Sequence, residues 1–316
     1  MDKLVFFTES FPYGIQEQWK LRELECLAEH FEEVVVAPLQ YGGNHRALPL
    51  PPRVRALPPL FETTSRQFRR WETGRLVSRR VAGHFRALMS GLARCGAGRW
   101  ARRWAVDGLK AEEILRSAGF QQTVLPELPD SRLYFFWGKG YADILPFLPR
   151  KMQRRAVVRM HGFDLYASVN DGFIPYQAEI VASADTVLTV SQDGLDYLST
   201  LYPAQKQKFR LARLGVLSEG RSPASEDGKF RLVSCAMVRP VKRMHLIAQA
   251  MALLPDNVEW THTGEGQDFR TLVDLTQQLK LQERTHFTGQ LSSASVAEYY
   301  ASRPFDLFLN VSVSEG

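Results

Sequence analysis

Apolar residues fall along the chain in short β-branched runs, separated by stretches in which they recur at helical spacing. Residues 3–8 and 33–37 are continuous apolar runs bounded by turn residues, which predicts buried strands. Between them Trp19, Leu21, Leu24 and Leu27 recur at near-helical spacing, predicting a helix over 18–30 and hence a βαβ unit. The Pro- and Gly-rich residues 40–60 read as a loop. Val77, Val81, Phe85, Leu88 and Leu92 form one apolar helix face opposite arginines, and Trp100, Trp104, Ala111 and Leu115 continue the pattern in a second helix. Runs at 132–137, 156–160 and 186–190 are each followed by Gly or Ser and then a helical segment.

Residues 218–229 have the composition of a linker, and the alternation restarts after them. Strands are expected at 232–236, 258–262, 285–287 and 307–309, with helices at 245–254, 269–281 and 296–301. Repeated strand–helix alternation of this kind builds parallel sheets covered on both faces. The expectation is an α/β protein of two Rossmann-like, doubly wound domains: residues 1–217, a linker at 218–229, and a second, incomplete domain at 230–316.

The 316 residues suit two domains, and 45% hydrophobic with 23% charged residues is ordinary for a globular chain. No run approaches the ~20 apolar residues of a membrane span. The N-terminus turns acidic too soon for a signal peptide and reads as a first strand. Three widely separated cysteines, Cys26, Cys95 and Cys235, offer no metal spacing and point to reduced thiols in the cytoplasm. The net charge of +6 is unevenly spread, because residues 66–110 hold twelve Lys or Arg against two acids. That stretch lacks a recognised nucleic-acid motif. Its cations, with Trp71, Trp100 and Trp104, suit an anionic membrane surface better.

Open α/β sheets bind ligands beyond the carboxyl ends of their strands, so the loops there are the candidates. After the first strand, residues 9–17 carry Gly14 and lead into a helix, giving either an anion site or an ordinary bend. After 156–160 comes His161-Gly162-Phe163-Asp164. Its imidazole is placed to donate to a ligand hydroxyl or steady a leaving group, or else simply to cap the strand end. After 232–236, Arg239, Lys242 and Arg243 cluster before a helix. Cations there are unfavourable unless an anion such as a diphosphate neutralises them; the alternative is a solvated basic loop. Gly264-Glu265-Gly266 and the terminal Glu315 complete the set, with no metal ligands among them.

Together these segments resemble retaining glycosyltransferases of family 4 with the GT-B fold, most of all the bacterial colanic-acid and exopolysaccharide type. The resemblance rests on Phe11-Pro12-Tyr13-Gly14 with Glu17 and Glu23, on Arg159 through Tyr166, and on Gly172-Phe173-Ile174-Pro175. It continues through Val190-Ser191 with Asp193-Gly194 and Tyr197-Leu198, and Arg213-Leu214-Gly215-Val216. Pro240-Val241-Lys242-Arg243, Gly264-Glu265-Gly266, and Ser312 with Glu315-Gly316 complete it. It implies metal-free transfer of a hexose from a UDP- or GDP-sugar to a glycan or lipid-linked glycan, with retention, by a cytoplasmic or inner-membrane peripheral enzyme. The nucleotide sugar is substrate, and no cofactor is implied.

By the same resemblance Lys242 contacts the donor diphosphate, with Arg239, Arg243 and residues 264–266 around it. His161 sits near the donor sugar and its β-phosphate, facing the cleft between the domains; Glu315 grips sugar hydroxyls, and Gly14 lies on the loop that faces the diphosphate across the cleft. Gln16 and Met237 depart from the pattern, standing where relatives often carry Gly and Arg. The second Glu of the family's Glu-seven residues-Glu motif would fall beyond Gly316. The expectation is therefore a C-terminal truncation, inactive as it stands, with a non-catalytic remnant as the alternative reading.

Overall fold

The computed structural model describes residues 2–13, 15–42, 45–64, 68, 98–215 and 220–313. They divide into two compact units, Met1–Leu214 and Gly215–Glu315. In the first, seven parallel strands are ordered β3-β2-β1-β4-β5-β6-β7. They are β1 (Lys3–Thr8), β2 (Glu33–Pro38), β3 (Val54–Ala56), β4 (Arg132–Phe135), β5 (Ala156–Met160), β6 (Thr186–Thr189) and β7 (Phe209–Leu211). The order reverses between β1 and β4, which pair Leu4 with Arg132 through Phe7 with Phe135.

The two-residue period of a strand explains why β1 is apolar throughout. Val5 and Phe7 face a core built with Val35, Ala37, Leu133 and Phe135, covered by Trp104, Leu109 and Ile114 of helix α2 (Arg99–Arg116). Leu4 and Phe6 face the opposite core with Val34, Val36, Tyr134, Phe136 and Leu24 of helix α1 (Leu21–His30). Phe7 and Phe135 stack at 4.2 Å between ring centroids.

The second unit carries four parallel strands ordered β10-β9-β8-β11: β8 (Phe230–Cys235), β9 (Val258–Thr263), β10 (Thr285–Gly289) and β11 (Leu307–Phe308). Trp260 at its centre is fully buried against Leu232 of β8, Ile247 and Met251 of α3 (Met244–Met251), and Leu272 of α4 (Phe269–Gln278). Here the order reverses between β8 and β11.

The strands stand where the apolar runs predict them, to within one or two residues. Two are missed by the pattern. β3 lies inside the expected loop 40–60, and β7 adds an outer strand; each has only three residues and an exposed arginine at its centre, Arg55 or Arg210. The first expected helix begins as a 3₁₀ segment, Ile15–Lys20, and becomes α-helical at Leu21. The helix expected over 77–92 and Trp71 lie outside the described residues. In the remainder of the basic stretch, Trp104 is buried and stacks on Tyr176 at 4.3 Å, while Arg99 and Arg102 are exposed. Among the described residues no helix is long and apolar enough to cross a membrane.

Candidate functional site

In the first unit, the loops following β1, β4 and β5 share one end of the sheet. Glu17 fastens the loop after β1: its Oε2 accepts from the backbone N–H groups of Ser10 (2.7 Å) and Phe11 (2.6 Å). Its Oε1 accepts from the Trp137 indole (3.2 Å) on the loop after β4 and pairs with the Lys20 ammonium. Lys20 is fully buried, with its ammonium 4.5 Å from the Phe136 ring centroid. Burial alone would raise the Glu17 carboxyl, but the Lys20 charge and the hydrogen bonds hold it below the usual carboxylate range. Burial lowers Lys20 while the Glu17 charge opposes it.

Asp164 ties the loops after β4 and β5 together. Its Oδ1 accepts from the His161 N–H and its Oδ2 from the Gly138 N–H, both at 2.5 Å. Burial lifts its carboxyl to about 7 against those bonds. These contacts hold His161 in an aromatic box, with ring centroids of Trp137 at 4.4 Å, Phe136 at 5.0 Å and Trp19 at 6.1 Å. His161 is 7% exposed, and neither ring nitrogen has a hydrogen-bond partner among the described residues. Burial and the positive charges of Arg159 and Lys20 push it down to about 3, so it is neutral at physiological pH. A buried, neutral imidazole with both nitrogens unsatisfied suits an uncharged hydroxyl rather than a phosphate. Behind it, Arg159 donates to Tyr134 (2.6 Å), Glu23 (2.9 Å) and the Ala212 carbonyl (3.1 Å).

In the second unit, the loops after β8 and β9 lie backbone to backbone. Val238 N–H donates to the Glu265 carbonyl (3.1 Å), and Asp268 N–H to the Val238 carbonyl (3.2 Å). Only glycine permits this approach. A Cβ at Gly264 (φ +120°) would sit 2.3 Å from the Ala236 oxygen, and one at Gly266 would sit 2.4 Å from the Val238 oxygen. Glu265, between them, is exposed. The loop after β8 then forms a 3₁₀ turn, Pro240–Lys242, and enters α3 through Arg243 in the left-handed region (φ 50°).

Arg239 is exposed and Lys242 half-buried on this turn. The Arg243 guanidinium donates to the Val311 carbonyl (2.7 Å) and the Ser312 carbonyl (3.4 Å) beyond β11. Val313 N–H also donates to the Val241 carbonyl at 2.9 Å. The segment leading to Glu315 is thus clasped to the cation-bearing turn at the point where the strand order reverses. Gly14 and Glu315 themselves lie outside the described residues. Among those residues, no group of three or more His, Cys, Asp or Glu is placed to hold a metal ion.

Two Rossmann-like units of parallel sheet define the GT-B fold, and solved structures similar to this chain carry it. Residues 219–316, essentially the second unit, match the family model of glycosyl transferases group 1. Among solved structures, Anabaena HepE in complex with UDP and glucose is 14% identical with a TM-score of 0.54, over 99% of this chain and 75% of that one. A variant of S. aureus TarM in complex with fondaparinux, alpha-GlcNAc-glycerol and UDP is 9% identical at 0.58, over 99% and 81%. An E. coli protein described as trehalose-6-phosphate bound with UDP-2-fluoro glucose is 12% identical at 0.56, over 100% and 79%. No curated protein sequence matches the chain.

Proposed function

We propose that the protein transfers a sugar from a UDP- or GDP-sugar to a glycan or lipid-linked glycan acceptor, with retention of configuration and without a metal. One observation carries the reading: the glycine-permitted contact of the loops after β8 and β9, which sets the Arg239–Lys242 turn at the switch point of the unit that matches the glycosyl transferases group 1 model. Solved neighbours bound to UDP, to UDP-2-fluoro glucose and to glycan-like ligands support a nucleotide-sugar donor and a glycan acceptor.

Departure of a nucleoside diphosphate builds negative charge on the leaving phosphate. In this reading the Lys242 ammonium, Arg239 and the first N–H groups of α3 stabilise that charge, which is the largest usual catalytic contribution. The neutral His161 hydrogen-bonds a hydroxyl of the donor sugar. Glu315 binds sugar hydroxyls and favours an oxocarbenium-like centre, as carboxylates do in glycoside hydrolysis. Gly14 approaches the diphosphate. Arg243 acts through the loop it clasps rather than through the ligand. The cations of the basic stretch, with Arg99 and Arg102 exposed, draw the protein to an anionic membrane carrying a lipid-linked acceptor.

The test incubates full-length protein with UDP-glucose, UDP-galactose, UDP-N-acetylglucosamine and GDP-mannose, with and without acceptor glycosides. It follows nucleotide release, and the product anomer by NMR. Release from one donor, an anomer of retained configuration and insensitivity to a chelator are expected. Release from none of them, or inversion, would refute the proposal.

A further inference from the structure

The two switch points carry opposite chemistry. The turn after β8 presents cations, whereas the first residue after β1 is a carboxylic acid, Glu9, half-buried where the order of the first sheet reverses. The Glu9 backbone is fixed from the neighbouring strand, because its carbonyl accepts from the N–H groups of Leu39 (3.1 Å) and Gln40 (2.9 Å). Its side chain is fixed as well. The Gln40 amide nitrogen donates to Glu9 Oε1 at 2.6 Å, and the Gln40 carbonyl accepts from the Thr64 N–H (2.7 Å) and hydroxyl (3.2 Å). The Thr64 donors set which way the amide faces, so its N–H must point at Glu9.

The other carboxyl oxygen, Oε2, has no hydrogen-bond partner among the described residues. It lies against Gly140 on the loop after β4, where an added Cβ would stand 3.8 Å from it. A carboxyl held at one oxygen and open at the other is a preorganised acceptor for a hydroxyl.

The surroundings argue against a phosphate at this place. The charged and titratable groups facing Glu9 are Glu17 and Lys20 from the segment after β1, Lys110 from α2, and Tyr141 after β4. Lys20 is neutralised by Glu17, and Lys110 pairs with Asp107 at 3.7 Å. A carboxyl among cations already paired repels a phosphate and suits a neutral, hydroxyl-rich ligand. The nucleotide has its cations in the other unit.

We propose that Glu9 binds a hydroxyl of the acceptor through Oε2, with Gln40 as the positioning residue that holds its carboxyl in place. This rests on the glycosyl-transfer reading above. Burial and the Glu17 charge lift the Glu9 carboxyl to about 7, against the lowering effects of Lys20, the Gln40 bond and Lys110. The ionised form is the stronger acceptor, so acceptor use falls as pH drops below neutrality.

The experiment takes full-length protein with the donor it turns over, and p-nitrophenyl glycosides of glucose, galactose, mannose and N-acetylglucosamine as acceptor probes. It measures KM for donor and acceptor and the pH profile of acceptor kcat/KM for wild type, Glu9→Gln and Gln40→Met. Melting temperatures serve as the folding control. Glu9→Gln is expected to raise acceptor KM about tenfold, the effect of one charged hydrogen bond. It is expected to move donor KM less than about twofold and to flatten the acid limb. Gln40→Met removes a bond that lowers the carboxyl, so its acid limb should move to higher pH. Wild-type acceptor KM and pH profile in a folded Glu9→Gln protein would overturn the inference. Failure of wild type to release nucleotide from any donor would instead overturn the reading beneath it.

Discussion

The Glu17–Lys20 pair makes the sharpest stability prediction. The Lys20 side chain is 0% exposed and that of Glu17 11%, so neither charge can turn to water if its partner is removed. Removing one member of a buried pair typically costs about 3–5 kcal/mol, because the remaining charge is left uncompensated. Lys20→Met should therefore destabilise by about that amount, a large share of a typical ~5–15 kcal/mol. Glu17→Gln should cost at least as much, since its amide nitrogen must then face either Lys20 and the Trp137 indole or the backbone N–H groups of Ser10 and Phe11, all of them donors. In the double variant that nitrogen no longer faces a buried ammonium, and roughly half of the summed loss or more should be recovered. The assay is urea unfolding followed by tryptophan fluorescence, analysed as a double-mutant cycle. Single variants costing under about 1 kcal/mol, with an additive double, would refute the argument that a buried ion pair fastens the loop after β1.

His161 gives a pH prediction. Its folded-state pKa, about 3, lies below the ordinary 6.5, so the unfolded chain binds more protons between these values and stability falls as pH drops through that window. Wild type should lose about 2 kcal/mol between pH 7.5 and 5 that His161→Phe does not lose, read by urea unfolding at both pH values. Glu9 and Asp164, whose carboxyls are raised, contribute with the opposite sign but cancel in the comparison. Gly264→Ala combines a disfavoured φ with a Cβ 2.3 Å from the Ala236 oxygen. It should destabilise the second unit by about 2–5 kcal/mol in hydrogen exchange of β8 and β9 amides, and an effect under about 0.5 kcal/mol would contradict the close approach of the two loops. Replacing the exposed Arg99 and Arg102 with Glu should reduce flotation with phosphatidylserine vesicles at low salt and leave neutral vesicles unaffected; equal recovery on both in wild type would rule out the anionic surface.

Much of the fold is legible in the sequence because parallel strands buried on both faces are continuous apolar runs. Lys3–Thr8 and Glu33–Pro38 are of this kind, and Ala156–Met160 is interrupted only by Arg159. β3 and β7 escape because three residues around an arginine carry no period. The site is legible where chemistry clusters along the chain, as in Arg239, Lys242 and Arg243, and in the acid three residues after His161. It is illegible where partners are distant. Nothing local says that Arg243 reaches carbonyls at 311 and 312, or that Gln40 orients Glu9 from 31 positions away. Nothing in the local sequence marks Lys20 as buried; Trp19, Phe136 and Trp137 converge around its ammonium from separate segments.

The central claim is that the second unit holds a nucleoside diphosphate at the turn after β8. Isothermal titration calorimetry of the full-length protein with UDP and with GDP tests it most directly, comparing wild type with Lys242→Ala. The account predicts one-site binding of at least one of the two nucleotides, weakened roughly ten- to a hundredfold in the variant, the effect of losing one charged contact of ~1.5–3 kcal/mol. Saturable binding of neither nucleotide, or equal affinity in wild type and Lys242→Ala, would contradict it.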